Sequence, residues 1–128
     1  MKTILVDAID GLVLSDGTVF AEMLALLEHY PNRKIVLTGA NDEQMAKFGL
    51  DQLPYEVFTL KHNPEKTDPQ YYETMLQHFG YASEDVVYFE HNQAAVDSAI
   101  KNGITTYFYD HQKQDLVALK AFLDQQLL

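Results

Sequence analysis

The sequence predicts an α/β protein built on a parallel sheet of about five strands, with helices on both faces. Three observations predict it. Short apolar runs, each of the length of a buried strand, recur at Thr3 to Val6, Lys34 to Leu37, Tyr55 to Leu60, Val86 to Phe89 and Thr105 to Tyr109. Stretches with helical spacing of apolar residues separate them. The links between the two are short, as in repeated strand–helix units.

Each element can be justified in order. The segment after Lys2 is apolar and is expected as a central strand. Residues 10 to 18, with Gly11, Asp16 and Gly17, read as a turn or small hairpin. Phe20, Met23, Leu24, Leu27 and Tyr30 recur at helical spacing, and Pro31-Asn32 ends that helix. Asn41 or Asp42 caps a short helix that stops at Gly49. Asp68 and Pro69 supply an N-cap and a proline at the first helical position, and Gly80 closes the helix. Asn92 opens the next helix, which ends at Gly103. Leu116, Leu119, Leu123 and Leu127 mark a closing helix. In such sheets ligands bind beyond the carboxyl ends of the strands.

Composition bounds the function. The 128 residues are expected to form one domain, residues 1–128, with a real core. Apolar residues make up 47%, ordinary for a globular chain. Cysteine is absent, which excludes disulfides and thiolate metal sites. Only a few apolar residues precede Asp7, too short a run for a signal core or a membrane span. A cytoplasmic location without membrane association is therefore expected. With 19 acids against 9 Lys and Arg, the net charge is −10. Such a surface repels nucleic acid at long range, so none is expected as a partner.

Four segments carry the chemistry: Ile4-Leu5-Val6-Asp7-Ala8-Ile9-Asp10-Gly11, Ile35-Val36-Leu37-Thr38-Gly39, Lys66-Thr67-Asp68-Pro69 and Val86-Val87-Tyr88-Phe89-Glu90-His91-Asn92. Together they resemble the haloacid dehalogenase (HAD)-like superfamily, whose members are mostly magnesium-dependent phosphatases. The resemblance covers nearly the whole chain. It implies a three-layer Rossmann-like fold, with the site at the carboxyl ends of the strands.

In that superfamily the first strand ends in Asp-x-Asp and then Gly. The first Asp attacks phosphorus and the second is the general acid and base. Here Asp7-Ala8-Ile9-Asp10-Gly11 is one residue too long, and two alignments compete. Aligning from the amino end puts Asp7 at the nucleophile and Ile9 at the acid. Aligning on Asp10-Gly11 puts Ala8 at the nucleophile and keeps Asp10 as the acid. The second is preferred, because Leu12, Val13, Leu14 and Asp16-Gly17 then follow the superfamily's flap without a gap. Asp7 and Asp10 are thus the candidate catalytic residues, and either way one carboxylate is missing.

The resemblance assigns phosphate binding to Thr38, the Gly39 backbone and Lys66, with Lys61 a weaker candidate for the lysine. The fourth element normally reads Gly-Asp, with another Asp four residues on, and binds magnesium. The aligned positions here are Glu90, His91 and Ala95. Imidazole is a poor ligand for magnesium. At both altered strand ends, however, an acid sits one residue early: Asp7 before Ala8, and Glu90 before His91. A bulge could turn them inward. A metal site from Asp7, Asp10 and Glu90 is then conceivable, and magnesium is expected only in that case.

Simpler roles stand beside these. Asp10 can serve only the turn with Gly11, and Asp7 can cap backbone groups. Glu90 and His91 can pair locally, and His91 can be a hydrogen-bonded pocket residue or a transition-metal ligand. His29, His62, His78 and His111 read as surface residues. Tyr88, Tyr107 and Tyr109 read as packing.

Between Asp10 and Thr38, and again between Thr38 and Lys66, there is no room for a cap domain. An open site is expected. The leading expectation is a HAD-like protein with a degenerate, catalytically impaired site that binds a small anionic ligand or a protein partner. The alternative is an active metal-dependent phosphohydrolase with rearranged acids, and a third is a structural role in an oligomer.

Overall fold

The computed structural model describes residues 1–127. Five strands, β1 (Thr3–Asp7), β2 (Lys34–Thr38), β3 (Glu56–Thr59), β4 (Val86–Glu90) and β5 (Thr105–Phe108), form one sheet in the order β3-β2-β1-β4-β5. Every neighbouring pair is parallel. The expected parallel α/β architecture is therefore the observed one, and the segment after Lys2 is its central strand. The strands β1, β2 and β4 are buried along their whole length, which is why each reads as an unbroken apolar run.

The helices are α1 (Ala21–Glu28), α2 (Asp42–Lys47), α3 (Pro69–Phe79), α4 (Gln93–Lys101) and α5 (Leu116–Leu127). Strand alternation splits the core in two. Ile4, Val6 and Ala8 of β1 and its end pack with Met23 and Leu27 of α1 and with Leu119 and Leu123 of α5. Leu5, Ile35, Leu37 and Tyr88 pack on the other side with Tyr71, Tyr72 and Met75 of α3 and Ala99 of α4. The result is three layers.

Local signals set the helix ends. Asn41 and Gln44 form a reciprocal capping box at α2. Asp68 accepts from the Gln70 N–H at the start of α3, with Pro69 next, and Gly80 ends that helix at φ 70°. Asn92 accepts from the Ala94 and Ala95 N–H groups at the start of α4.

The topology positions the site. The chain runs outward from β1 through β2 to β3, then crosses back to place β4 on the other flank of β1. The crevice beyond the carboxyl ends of β1 and β4 is the topological switch point, where ligands of such sheets bind. Asp7 is the last residue of β1 and Glu90 the last of β4. Among the described residues, no helix is long and apolar enough to cross a membrane.

Candidate functional site

Alternation along β1 decides which residues reach the crevice. Asp7 stands on the same face as Leu5, toward α3 and α4, while Ala8 faces the opposite core cluster with Ile4 and Val6. Asp7 and Ile9 line the cavity at the strand ends, and Ala8 is 1% exposed within the core. Asp7, and not Ala8, is thus the side chain turned to the crevice, the placement that the alignment from the amino end supposes. The extra residue is absorbed just after the strand, where Asp10 takes φ 68° and the Gly11 and Val13 N–H groups both return to the Ala8 carbonyl. Asp10 is carried to the rim, where its Oδ2 lies 3.8 Å from His91 Nε2.

Four charged side chains meet in the crevice: Asp7, Lys66, Glu90 and His91. Lys66 arrives from the loop before α3. Its Nζ donates to Asp7 Oδ1 at 2.9 Å, to Glu90 Oε1 at 2.6 Å and to the Leu37 carbonyl at 3.3 Å. All three ammonium hydrogens therefore have acceptors within the protein. The other Asp7 oxygen, Oδ2, accepts from the His91 backbone N–H at 3.0 Å and from the His91 ring through Nδ1. Glu90 also accepts from the Tyr88 hydroxyl, two residues back on the same strand face, and from the Asn92 N–H at 3.0 Å. Tyr88 thus does more than pack.

The electrostatics follow from burial and mutual pairing. Asp7 is pushed up from the ordinary carboxylate range, first by burial and next by Glu90, against the pull of Lys66 and His91. Burial opposes ionisation of Glu90 as well, but Lys66, with hydrogen bonds from His91, Lys66 and Tyr88, holds it well below that range. Burial disfavours charge on Lys66, yet Asp7 and Glu90 raise it well above the ordinary lysine value. For His91, burial is likewise overcome by hydrogen bonds to Asp7 and Glu90, and its pKa rises to about 10. The quartet sets two acidic side chains against two basic ones.

Thr38, Gly39 and Lys66 line the same cavity, whose volume is about 210 Å³. The Thr38 hydroxyl accepts from the Ala40 N–H at 3.1 Å, and the Thr38 carbonyl is held by the Tyr71 hydroxyl at 2.7 Å. Lys61 lies apart and pairs with Asp42 at 3.1 Å. Three residues missed in the sequence complete the rim. His62 Nδ1 lies 2.9 Å from Glu65 Oε1, and its Nε2 lies 2.5 Å from Gln44 Oε1. Only the family of turn and helix contexts around them is readable from spacing; nothing marks them as pocket residues. His111 stacks edge-on against His91, with ring centroids 5.0 Å apart. His62 is exposed, as expected, and also lines the cavity, while His111 lies against His91.

The resemblance implies a magnesium ion at this place, and the side chains present do not fit one. Asp7, Glu90 and His91 do bring donor atoms within 4.8 Å of one another. But Lys66 already bridges the two carboxylates, and the third donor beside them is an imidazole nitrogen. Magnesium demands octahedral oxygen ligands. Ala95 offers none.

Comparison with known proteins bears on the fold. No family model matches the sequence, and no curated protein matches it. Solved structures do. A HAD family enzyme from Bacteroides thetaiotaomicron, crystallised as an aspartate-to-alanine mutant with magnesium and inorganic phosphate, is similar at TM-score 0.69 and 11% identity, over 84% of this chain and 93% of that one. An uncharacterised protein from Corynebacterium glutamicum is similar at TM-score 0.67 and 14% identity, over 100% and 96%. A haloacid dehalogenase-like protein of unknown function from Agrobacterium tumefaciens is similar at TM-score 0.51 and 16% identity, over 83% of this chain and 61% of that one. With the all-parallel sheet and the crevice between β1 and β4, these similarities show that the chain has the haloacid dehalogenase-like fold.

Proposed function

We propose that this chain keeps the pocket of a HAD-like hydrolase without its phosphatase chemistry, and that the pocket binds a small anionic group, carried by a free ligand or by a protein partner. The observation behind this reading is the state of Asp7. Both its oxygens are held by the protein's own cations, Lys66 on one and His91 on the other. These charge-assisted bonds draw electron density from the carboxylate and weaken it as a nucleophile toward phosphorus. Two residues on, where the acid would stand, Ile9 presents an apolar side chain to the cavity. The neighbour from Bacteroides thetaiotaomicron holds inorganic phosphate, which supports an anion as the ligand class. A cavity of about 210 Å³ suits a group of that size better than a large cofactor.

Hydrolysis of several phosphate esters with magnesium, manganese and cobalt tests the reading. No turnover above the uncatalysed rate is expected. Robust turnover that disappears in Asp7→Asn would overturn it and establish a phosphohydrolase with rearranged acids.

A further inference from the structure

We propose that His91 is a built-in cation standing where a metal ion would otherwise serve this site, and that its Nε2–H receives the oxyanion ligand. This rests on the anion-binding reading above and names the residue that carries it.

The lysine expected to meet an anion is committed elsewhere, with all three of its hydrogens on Asp7, Glu90 and the Leu37 carbonyl. His91 is differently placed. One edge of its ring is fixed, with Nδ1 on Asp7 Oδ2 and 3.2 Å from Glu90 Oε2. Among the described residues the opposite edge is not. Nε2 has Asp10 Oδ2 as its nearest acid at 3.8 Å, beyond hydrogen-bond distance. The side chain is 23% exposed and lines the cavity with Thr38 and Gly39. Within the cluster Lys66 and His91 face Asp7 and Glu90, and the outward Nε2–H is what an arriving anion meets, with Asp10 the acid beside it. A fixed, partly desolvated donor of this kind binds oxyanions through a charge-assisted hydrogen bond.

Inorganic phosphate is the probe. Titrated into ¹⁵N-labelled wild-type protein, it should shift the His91 Nε2 resonance, with millimolar or tighter affinity. His91→Gln should weaken phosphate binding by about tenfold or more, the loss expected for a hydrogen bond to a charged group. Asp10→Asn should tighten it by removing a like charge near the ligand. Magnesium alone should leave the wild-type resonances unmoved. His91→Asp, which removes the cation and adds an oxygen ligand, should acquire magnesium-dependent shifts at Asp7 and Glu90.

Equal phosphate affinity in wild type and His91→Gln would overturn the proposal, as would the absence of phosphate binding or magnesium binding by the wild-type chain at Glu90 and Asp7. The Nε2 shift is read on the unaltered protein and does not depend on any variant folding. Ester turnover by the wild type would defeat the non-catalytic reading alone, because it leaves the identity of the anion-receiving group to the phosphate titrations.

Discussion

His91 contacts Asp7 Oδ2 twice, through its backbone N–H at 3.0 Å and through Nδ1 of its ring. The two residues sit at the ends of neighbouring parallel strands, so the contact also ties β4 to β1 across the crevice. A carboxylate held this way has a fixed orientation and gives up charge density to its donors, which lowers its nucleophilicity. The same contact orients the imidazole, so one residue pair both quiets the strand-end acid and aims a cation outward.

Lys66 is the linchpin of the buried charges. Its loss strands Asp7 and Glu90, both 0% exposed, beside each other. Removing one partner of a buried ion pair costs about 3–5 kcal/mol. Lys66→Ala is expected to destabilise the fold on that scale in urea denaturation. Adding Glu90→Gln should restore part of the loss, since one unpaired charge disappears. Additive effects of the two substitutions would contradict the shared network.

The pH dependence carries a definite sign. His91 is raised from about 6.5, its value in the unfolded chain, to about 10. Its contribution to stability is therefore complete below pH 6.5 and is lost as pH rises toward 10. The stability gap between wild type and His91→Gln should narrow over that window. Glu90 behaves oppositely. Its folded pKa is lowered from 4.5, so its contribution is present above that pH and fades as the solution is made more acid. The gap between wild type and Glu90→Gln should shrink on acidification. Denaturation midpoints measured from pH 2 to 10 check both, and a gap of constant size would refute the assignment.

The contrast between what sequence showed and what it hid has a physical basis. The sheet was legible because β1, β2 and β4 are buried on both faces and read as apolar runs, and because Asn41, Asp68, Gly80 and Asn92 cap their helices by local hydrogen bonding. Thr38, Lys66, Asp7 and Glu90 were legible as strand-end or loop residues at the right spacing. The alignment was not. Whether Asp7 or Ala8 faces the crevice depends on strand alternation, and the inserted residue is absorbed by the backbone at Asp10, a conformation that spacing does not reveal. Pocket roles for His62, Glu65 and Gln44 arise from contacts between a loop and a helix distant in sequence. No local pattern encodes them.

Gly11 guards the end of β1. A Cβ there would lie 2.4 Å from the Asp7 carbonyl oxygen and 2.9 Å from Asp7 Cβ, far inside contact distance with atoms that cannot swing away. The Leu12 N–H bonds that same carbonyl at 3.0 Å, so the turn has no slack. Gly11→Ala is expected to cost about 1–3 kcal/mol through overpacking, and to displace Asp7 from Lys66. Gly49→Ala is the control. Its φ is 64° but nothing lies near its Cβ, so it should cost only the backbone term of about 1–2 kcal/mol and leave the Asp7 and His91 resonances unmoved. Unshifted site resonances in Gly11→Ala would count against the tight turn.

Tyr109 offers the opposite kind of test. Its ring packs edge-on against Phe89, with centroids 6.0 Å apart, and is 1% exposed. Among the described residues its buried hydroxyl has no hydrogen-bond partner. Burial, followed by Asp7 and Asp110, pushes the phenol up to about 12, so it stays neutral at physiological pH. An unsatisfied buried hydroxyl carries a desolvation cost of about 1–3 kcal/mol. Tyr109→Phe keeps the ring and its packing while removing that cost. The variant is therefore expected to be as stable as the wild type or more stable, by up to about that amount, in thermal and urea unfolding. It should also leave phosphate affinity unchanged, because the hydroxyl takes no part in holding His91 or Lys66. Marked destabilisation by Tyr109→Phe would mean that the hydroxyl has a bonding partner in solution, and the crevice behind Asp7 would then be wetter and more polar than its packing indicates.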